Sequence, residues 1–449
     1  MFEEATATHP ADAAAVAMSA AFCEACERLI FVRVLLEDPR HQTRRQGSAV
    51  TRLLREGLRG VERQLEATRP IVFGPGQRSS ESAPAAIGLA VTALRQVHIQ
   101  LGLLGTRWPL GTADLFIRKL VAEGLPVTVP TICPTNQYDD TATEVGESFR
   151  NRLAATGLVV KSEAQDTPIL TIPTMDLIDP LSWATMLYPL AASMVEARGI
   201  AAQLRRPSSI DSAAYRRVCT AGFAARLVGE STFAARAART LLDRLSGAEG
   251  CTDISLLAVA SQQFAKPISP KCGTTVAEYF DAILATQAVL ARVWGVTRVD
   301  APLPVTAAEW EDVDQFLKAE LRDPLLPTPD EAEALFELLC DGRPINAMPP
   351  KLPDDFGERL DASVDAERFY DVLQYANERP CSLATILTVG WRYKVRRSYG
   401  LCNELMSGGT SWRAAIDALS GHVLERCSLL QQSIEAAYVQ QVFSRWRDS

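Results

Sequence analysis

Apolar residues recur at intervals of three and four along most of this chain, the spacing that places them on one face of an α-helix. In residues 42–68 the apolar set is Leu53, Leu54, Leu58, Val61 and Leu65. Residues 11–36 form a second amphipathic stretch, with Ala and Leu on one face and Arg28 and Arg33 among its polar positions. The turn at 37–40 joins the two stretches, so they are predicted to pack as an antiparallel hairpin.

The same spacing predicts further helices at 85–105, 111–123, 181–198, 210–228, 230–246, 275–293, 307–322, 329–341, 365–377, 382–398 and 411–445. The helix at 329 has the clearest start, because Thr328 can cap it, Pro329 takes its first position and Glu331 completes a capping box. The proline-rich stretch 343–353 is predicted to be an extended strap.

Two stretches between 125 and 175 read as β-strands. They are Val127–Cys133 and Pro168–Ile172, with a helix predicted at 142–156 between them. The fold class is therefore mainly α, a multi-helix protein with a small β element near 125–175. Three regions are expected: a helical hairpin at 1–70, a central helical domain with the β element at 85–300, and a C-terminal helical region at 301–449.

Composition narrows the class of protein. The chain has 449 residues, 47% of them hydrophobic and 22% charged, as in ordinary globular proteins. Its net charge of −8 disfavours nonspecific binding to nucleic acid by the whole molecule. No apolar run reaches the length of a membrane helix, and ten scattered cysteines suit reduced thiols. A cytoplasmic location without membrane association is expected, and the Ala- and Arg-rich composition favours a bacterial source.

Residues 180–192 read Pro-Leu-Ser-Trp-Ala-Thr-Met-Leu-Tyr-Pro-Leu-Ala-Ala. This frame resembles the helix that carries His-Glu-x-x-His in zincin metallopeptidases, in which two His four residues apart hold zinc and the Glu is the general base. Here Tyr188, Pro189 and Ala192 stand at those three positions. The resemblance extends over residues 165–235 and implies a zincin-like core. The turns that would supply an acidic third ligand carry Arg216, Arg217 and Ala221 instead.

The alternative interpretation of this segment is an ordinary core helix. Its apolar residues fall on one helical face: Trp183, Met186, Leu187, Leu190, Ala191, Met194 and Val195. Under either interpretation Pro189 predicts a kink or a helix that restarts near Leu187. No catalytic residue, no metal ligand and no cofactor is predicted here.

Three other groups of residues are candidates for chemistry. Asp139, Asp140 and Glu144 form the densest acidic cluster near the β element. Carboxylates could hold Mg²⁺ there, but a solvated loop leading into a helix is the simpler explanation. Cys23 and Cys26 have the spacing of a redox motif, yet they lie inside a predicted helix with no second Cys pair close by, so packed thiols are the favoured interpretation. Arg392, Lys394, Arg396 and Arg397 alternate with aromatic residues and are candidates for anion binding.

The favoured function is a non-catalytic, peptidase-like pseudoenzyme or helical scaffold that acts through a protein partner, as one component of a bacterial multi-protein system. One alternative is a hydrolase that uses acidic or Cys residues in place of the lost motif. Another is a nucleic-acid-associated accessory protein that uses residues 391–399.

Overall fold

The computed structural model describes residues 10–37, 49–74, 82–104, 111–125, 129–135, 142–144, 155–156, 168–197, 199, 212–229, 231–245, 315, 319, 325–345 and 381–448. Within them the protein is mainly α, as predicted. The predicted helices at 275–293 and 365–377, almost all of the one at 307–322 and most of the strap at 343–353 lie outside the described residues.

The helices follow one another in this order: α1 Pro10–Glu37, α2 Ala49–Phe73, α3 Ser82–Gln100, α4 Gly111–Ala122, α5 Leu187–Ala197, α6 Ser212–Val228, α7 Ser231–Leu245, α8 Pro329–Cys340, α9 Leu383–Tyr393, α10 Tyr399–Ser407 and α11 Trp412–Asp448. The strands are β1 Thr131–Thr135, β2 Ala142–Glu144 and β3 Pro168–Pro173. Short 3₁₀ turns occupy Leu101–Leu104, Thr174–Leu177 and Pro180–Met186, and a π-helical turn spans Lys394–Ser398.

Helix α1 is the central element of the core. It packs against α2, as the predicted hairpin requires, and also against α3, α7, α10 and α11. Every residue from Ala20 to Val32 is buried. The expectation of one polar face was therefore wrong at Arg28, which is buried because other helices surround this part of α1.

Helix α2 is amphipathic as predicted, with one exception. Leu54, Leu58, Val61 and Leu65 are buried, whereas Leu53 is 66% exposed. Near the far end of α2, Arg69 donates hydrogen bonds to the carbonyl oxygens of Met406 at 2.6 Å and Thr410 at 2.8 Å. The side chain therefore satisfies backbone acceptors where α10 ends, and it joins the N-terminal helices to the C-terminal ones.

The small sheet has the order β1-β3-β2. β1 runs parallel to β3 with Ile132 opposite Leu170, and β2 pairs with the same stretch of β3 in the antiparallel sense. The helix predicted at 142–156 was wrong over Ala142–Glu144. Pairing with β3 gives these residues backbone partners that their local sequence could not reveal.

The segment after β3 carries the helix that the sequence analysis compared with the zincin motif. Asp179 caps the 3₁₀ turn by accepting a hydrogen bond from the Leu181 amide at 3.2 Å. The α-helical geometry begins only at Leu187, so Pro189 falls in the first turn, where its missing N–H costs nothing. The predicted restart near Leu187 is confirmed.

The C-terminal helices differ from the prediction at one point. The capping box of α8 forms as predicted, with Thr328 and Glu331 bonded reciprocally. The single helix predicted at 382–398 ends at Tyr393 and passes through the π-helical turn into α10. Such turns insert an extra residue into a helix and occur often at functional sites. Here the turn directs Lys394 and Ser398 into the core, where both are buried.

Candidate functional site

The three positions that the sequence analysis compared with His-Glu-x-x-His lie beside a helix rich in arginine. Tyr188, Pro189 and Ala192 are each partly exposed on α5. The guanidinium carbon of Arg236, on α7, lies 4.8 Å from the centre of the Tyr188 ring. The opposite face of this segment is core as predicted, since Trp183, Met186, Leu187, Leu190 and Met194 are at most 5% exposed.

A second arginine of α7 joins a buried ion cluster. Arg239 and Arg28 each place a terminal nitrogen 3.3 Å from a carboxylate oxygen of Asp176. His98 lies beside this group with Nε2 2.5 Å from Oγ1 of Thr174. Burial is the main reason that the pKa of His98 falls to about 4; Asp176 opposes this effect, and Arg28 and Arg239 add to it. His98 is therefore neutral at physiological pH.

A larger ion cluster joins four parts of the chain at the centre of the molecule. It contains Glu24 and Glu27 of α1, Asp179 before the 3₁₀ turn, Lys394 of the π-helical turn and Arg426 of α11, all at most 4% exposed. Lys394 Nζ lies 2.6 Å from Glu24 and 2.9 Å from Glu27. Arg426 binds Glu27 through two parallel contacts of 2.8 and 3.0 Å, and its Nη2 lies 3.5 Å from Asp179.

The charges in this cluster stabilise one another. Burial alone would raise the pKa of Glu27, but the charges of Arg426 and Lys394 and their hydrogen bonds lower it to about 2. Burial would lower the pKa of Lys394, but Glu24, Glu27 and Asp179 hold it well above its ordinary value. Tyr399 donates a hydrogen bond to Glu24, and the Lys394 ammonium lies 5.0 Å from the Trp391 ring centre. The cluster thus holds three carboxylates and two cations, and each carboxylate lies within 4.0 Å of a cation.

Ser398 and His422 form a hydroxyl–imidazole pair at the edge of this cluster. Arg426 donates to Ser398 Oγ at 3.0 Å, and the same oxygen lies 3.2 Å from His422 Nε2. The imidazole stacks on Tyr393 with ring centres 5.5 Å apart. Burial, followed by the charge of Arg426, lowers the pKa of His422. Ser398 is only 1% exposed, so a substrate does not reach its oxygen in this conformation.

The residues predicted to bind anions are separated by the fold. Lys394 belongs to the buried cluster, and Arg392 is 8% exposed and paired with Glu333. Arg396 is partly exposed, with its guanidinium carbon 5.7 Å from the Phe336 ring centre, and Arg397 is exposed. An anion-binding role therefore stays a prediction for Arg396 and Arg397.

The structure does not describe the side chains of the predicted acidic cluster. Asp139 and Asp140 lie outside the described residues, and of Glu144 only the backbone in β2 is described. Arg216, one of the basic residues in place of the third zinc ligand, is exposed on α6. Across the described ranges, no three His, Cys, Asp or Glu side chains are grouped so that they could hold a metal ion.

Sequence reasoning missed the buried ion clusters. Glu24, Glu27 and Arg28 lie close together on α1 among apolar residues. This grouping of charges in an apolar helix was the one sign in the sequence that they would be buried. Their partners could not be identified, because Glu27 and Arg426 are separated by 399 positions.

Fold and site together define a mainly α protein that has two buried clusters of ion-paired side chains in its described core. No family model, no curated protein and no solved structure matches the chain. In the part of the chain that the structure describes, no helix is long and apolar enough to cross a membrane.

Proposed function

We propose that this protein is a non-catalytic, peptidase-like helical scaffold that acts through protein–protein contacts. The observation that carries the proposal is the position of α7 against the degenerate helix. Arg236 stacks over Tyr188 at 4.8 Å, and Arg239, one turn later on the same helix, binds Asp176.

This arrangement opposes zinc chemistry on electrostatic grounds. A catalytic zinc ion needs three ligands and an open position for water. Here the side chain at the first ligand position is covered by a guanidinium, which repels a divalent cation. Ala192 at the second ligand position has no ligand atom, and Pro189 cannot act as a base. The helix is instead held by packing, with Trp183 against Phe116 at a ring-centre distance of 5.9 Å.

The buried ion clusters support a structural role. They join α1, the segment before α5, the π-helical turn and α11 with paired charges, and breaking such pairs is costly. A scaffold needs this kind of fixed geometry, because its partners recognise a surface rather than a reacting centre.

The test has two measurements on the purified full chain and one in the source cells. Elemental analysis is expected to find less than stoichiometric zinc, and a general peptide substrate is expected to remain uncleaved. Quantitative cross-linking in the source cells is expected to recover a reproducible protein partner. About one tightly bound zinc per chain, together with hydrolysis that a chelator abolishes, would overturn the proposal.

Oligonucleotide binding separates the nucleic-acid alternative from the scaffold. If Arg396 and Arg397 bind a phosphate backbone, affinity should fall steeply as salt rises, and R396E/R397E should weaken binding. Arg413→Glu is the matched control, since Arg413 is a 93% exposed side chain elsewhere on the surface. We expect the wild type, R396E/R397E and Arg413→Glu proteins to show the same oligonucleotide affinity.

A further inference from the structure

Helix α2 presents a stripe of mixed charge to solvent. Its exposed charged residues are Arg52, Glu56, Arg59, Arg63 and Glu66. Their spacing of four and three residues places all five on one face of the helix. The structure shows no ion pair between Arg52, Glu56 or Glu66 and another described residue. These charges are therefore available to a second molecule.

Helix α3 lies beside this stripe and exposes an uncharged face. A Cβ atom placed on Gly57 would lie 3.2 Å from Val97 Cγ2, so the first half of α2 contacts the second half of α3 and the two helices are antiparallel. The exposed side chains along the middle of α3 are Ala85, Leu89, Thr92, Ala93 and Gln96. A solvent-facing helix face usually carries charges, whereas the centre of a protein interface is depleted of them. The face of α3 therefore has the composition of an interface.

We propose that this face of α2 and α3 binds the same face of a second copy of this chain. In a dimer with a two-fold axis, one surface pairs with itself. When the axis passes between Arg59 and Gly60, α2 runs antiparallel to α2 of the second copy, and Glu56 lies opposite Arg63 of the second copy. The axis repeats this pair, so two pairs of opposite charge join the helices. The same axis stacks α3 on α3 of the second copy.

The order of charges along the stripe selects this register. Arg52 comes within one residue of the level of Glu66 of the second copy, which adds a further pair of opposite charge. Sliding the helices by one turn brings Arg52 opposite Arg63 in one direction and Glu56 opposite Glu66 in the other, and like charges oppose association. Arg59 lies near its own copy across the axis, and Glu56, three residues earlier on the same helix, offsets that repulsion.

The same axis brings exposed leucines of the two copies together. Leu53 is 66% exposed and Leu89 is 65% exposed. Leu89 lies eight residues before Val97, so within one chain it is level with Leu65, eight residues after Gly57. The axis carries that level to within one residue of Leu53 of the second copy, a difference of about 1.5 Å along the helix. Each leucine then leaves water against an apolar side chain.

Charge reversal tests the pairing in the purified full chain. Sedimentation equilibrium over a hundredfold range of protein concentration measures the dimerisation constant, and circular dichroism confirms that each variant is folded. We expect a reversible dimer for the wild type. E56R and R63E should each weaken dimerisation at least about tenfold, because each places like charges opposite one another twice. E56R/R63E exchanges the two charges and should recover most of the lost affinity.

Two further variants complete the test. Arg413→Glu reverses a 93% exposed charge on α11 and should leave dimerisation unchanged. L53S/L89S should weaken the dimer without altering any charge. A monomer at every concentration would overturn the proposal, and so would a dimer that E56R and R63E leave intact, because it would use another surface. Loss in both single variants without recovery in the double variant would also overturn it, since the two positions would not face each other.

Discussion

At the scale of single residues, His98 couples stability to pH. Its pKa is about 4 in the folded protein and 6.5 as the ordinary value, so the unfolded chain binds the proton more tightly. Stability from neutral His98 is therefore complete above pH 6.5 and is lost as pH falls toward 4. Between pH 7 and pH 5 the loss is about 2 kcal/mol. Denaturant unfolding of wild type and H98N at both pH values measures it; an equal pH response in the two proteins would contradict the assignment.

Lys394 provides the second prediction at this scale. Removing its charge leaves Glu24 and Glu27 buried with one cation fewer, and breaking a buried pair costs about 3–5 kcal/mol. We expect Lys394→Met to lower the free energy of unfolding by this amount in urea titrations. The control is Arg413→Met, whose exposed contact with Asp417 should contribute less than about 1 kcal/mol. Equal effects would show that the cluster does not support the core.

At the scale of elements, replacing two helical glycines by alanine should change the stability in opposite directions. A Cβ added to Gly390 on α9 would lie 2.9 Å from Leu181 Cδ2 and 3.0 Å from Leu430 Cδ2, whereas one added to Gly60 on α2 meets nothing within 4 Å. Gly390→Ala should therefore destabilise by about 1–3 kcal/mol through overpacking. Gly60→Ala should stabilise by up to about 1 kcal/mol through helix propensity. Thermal unfolding compares them, and stabilisation by both would disprove the close packing at Gly390.

The elements also show how far the sequence determines the fold. The α8 capping box and the restart at Leu187 were predictable, because both depend on residues a few positions apart. The strand at Ala142–Glu144 was not, because it exists only through pairing with β3. The π-helical turn was missed for the same kind of reason. Its Lys394 meets carboxylates on α1, and no local pattern identifies that contact.

At the scale of the whole molecule, the two ends of the described chain form one core. Arg426 on α11 binds Glu27 on α1, and Arg69 on α2 binds carbonyl groups where α10 ends. Both ion clusters use α1, through Arg28 in one and through Glu24 and Glu27 in the other. Helix α5 is joined to this core through the ion pairs of Asp176 and Asp179, which lie shortly before it in the chain.

Because the surroundings of that helix do not suit a zinc ion, introducing the zincin motif should not create a peptidase. Y188H/P189E/A192H would rebuild the His-Glu-x-x-His pattern on α5. The rebuilt first ligand would still face Arg236, and Arg239 would remain committed to Asp176, so no neighbouring carboxylate is released as a third ligand. We expect weak zinc binding by elemental analysis and no cleavage of a general peptide substrate, with circular dichroism confirming that the variant is folded. Zinc-dependent hydrolysis that a chelator abolishes would show that the arginines of α7 do not block the site, and would favour a recently lost peptidase over a scaffold.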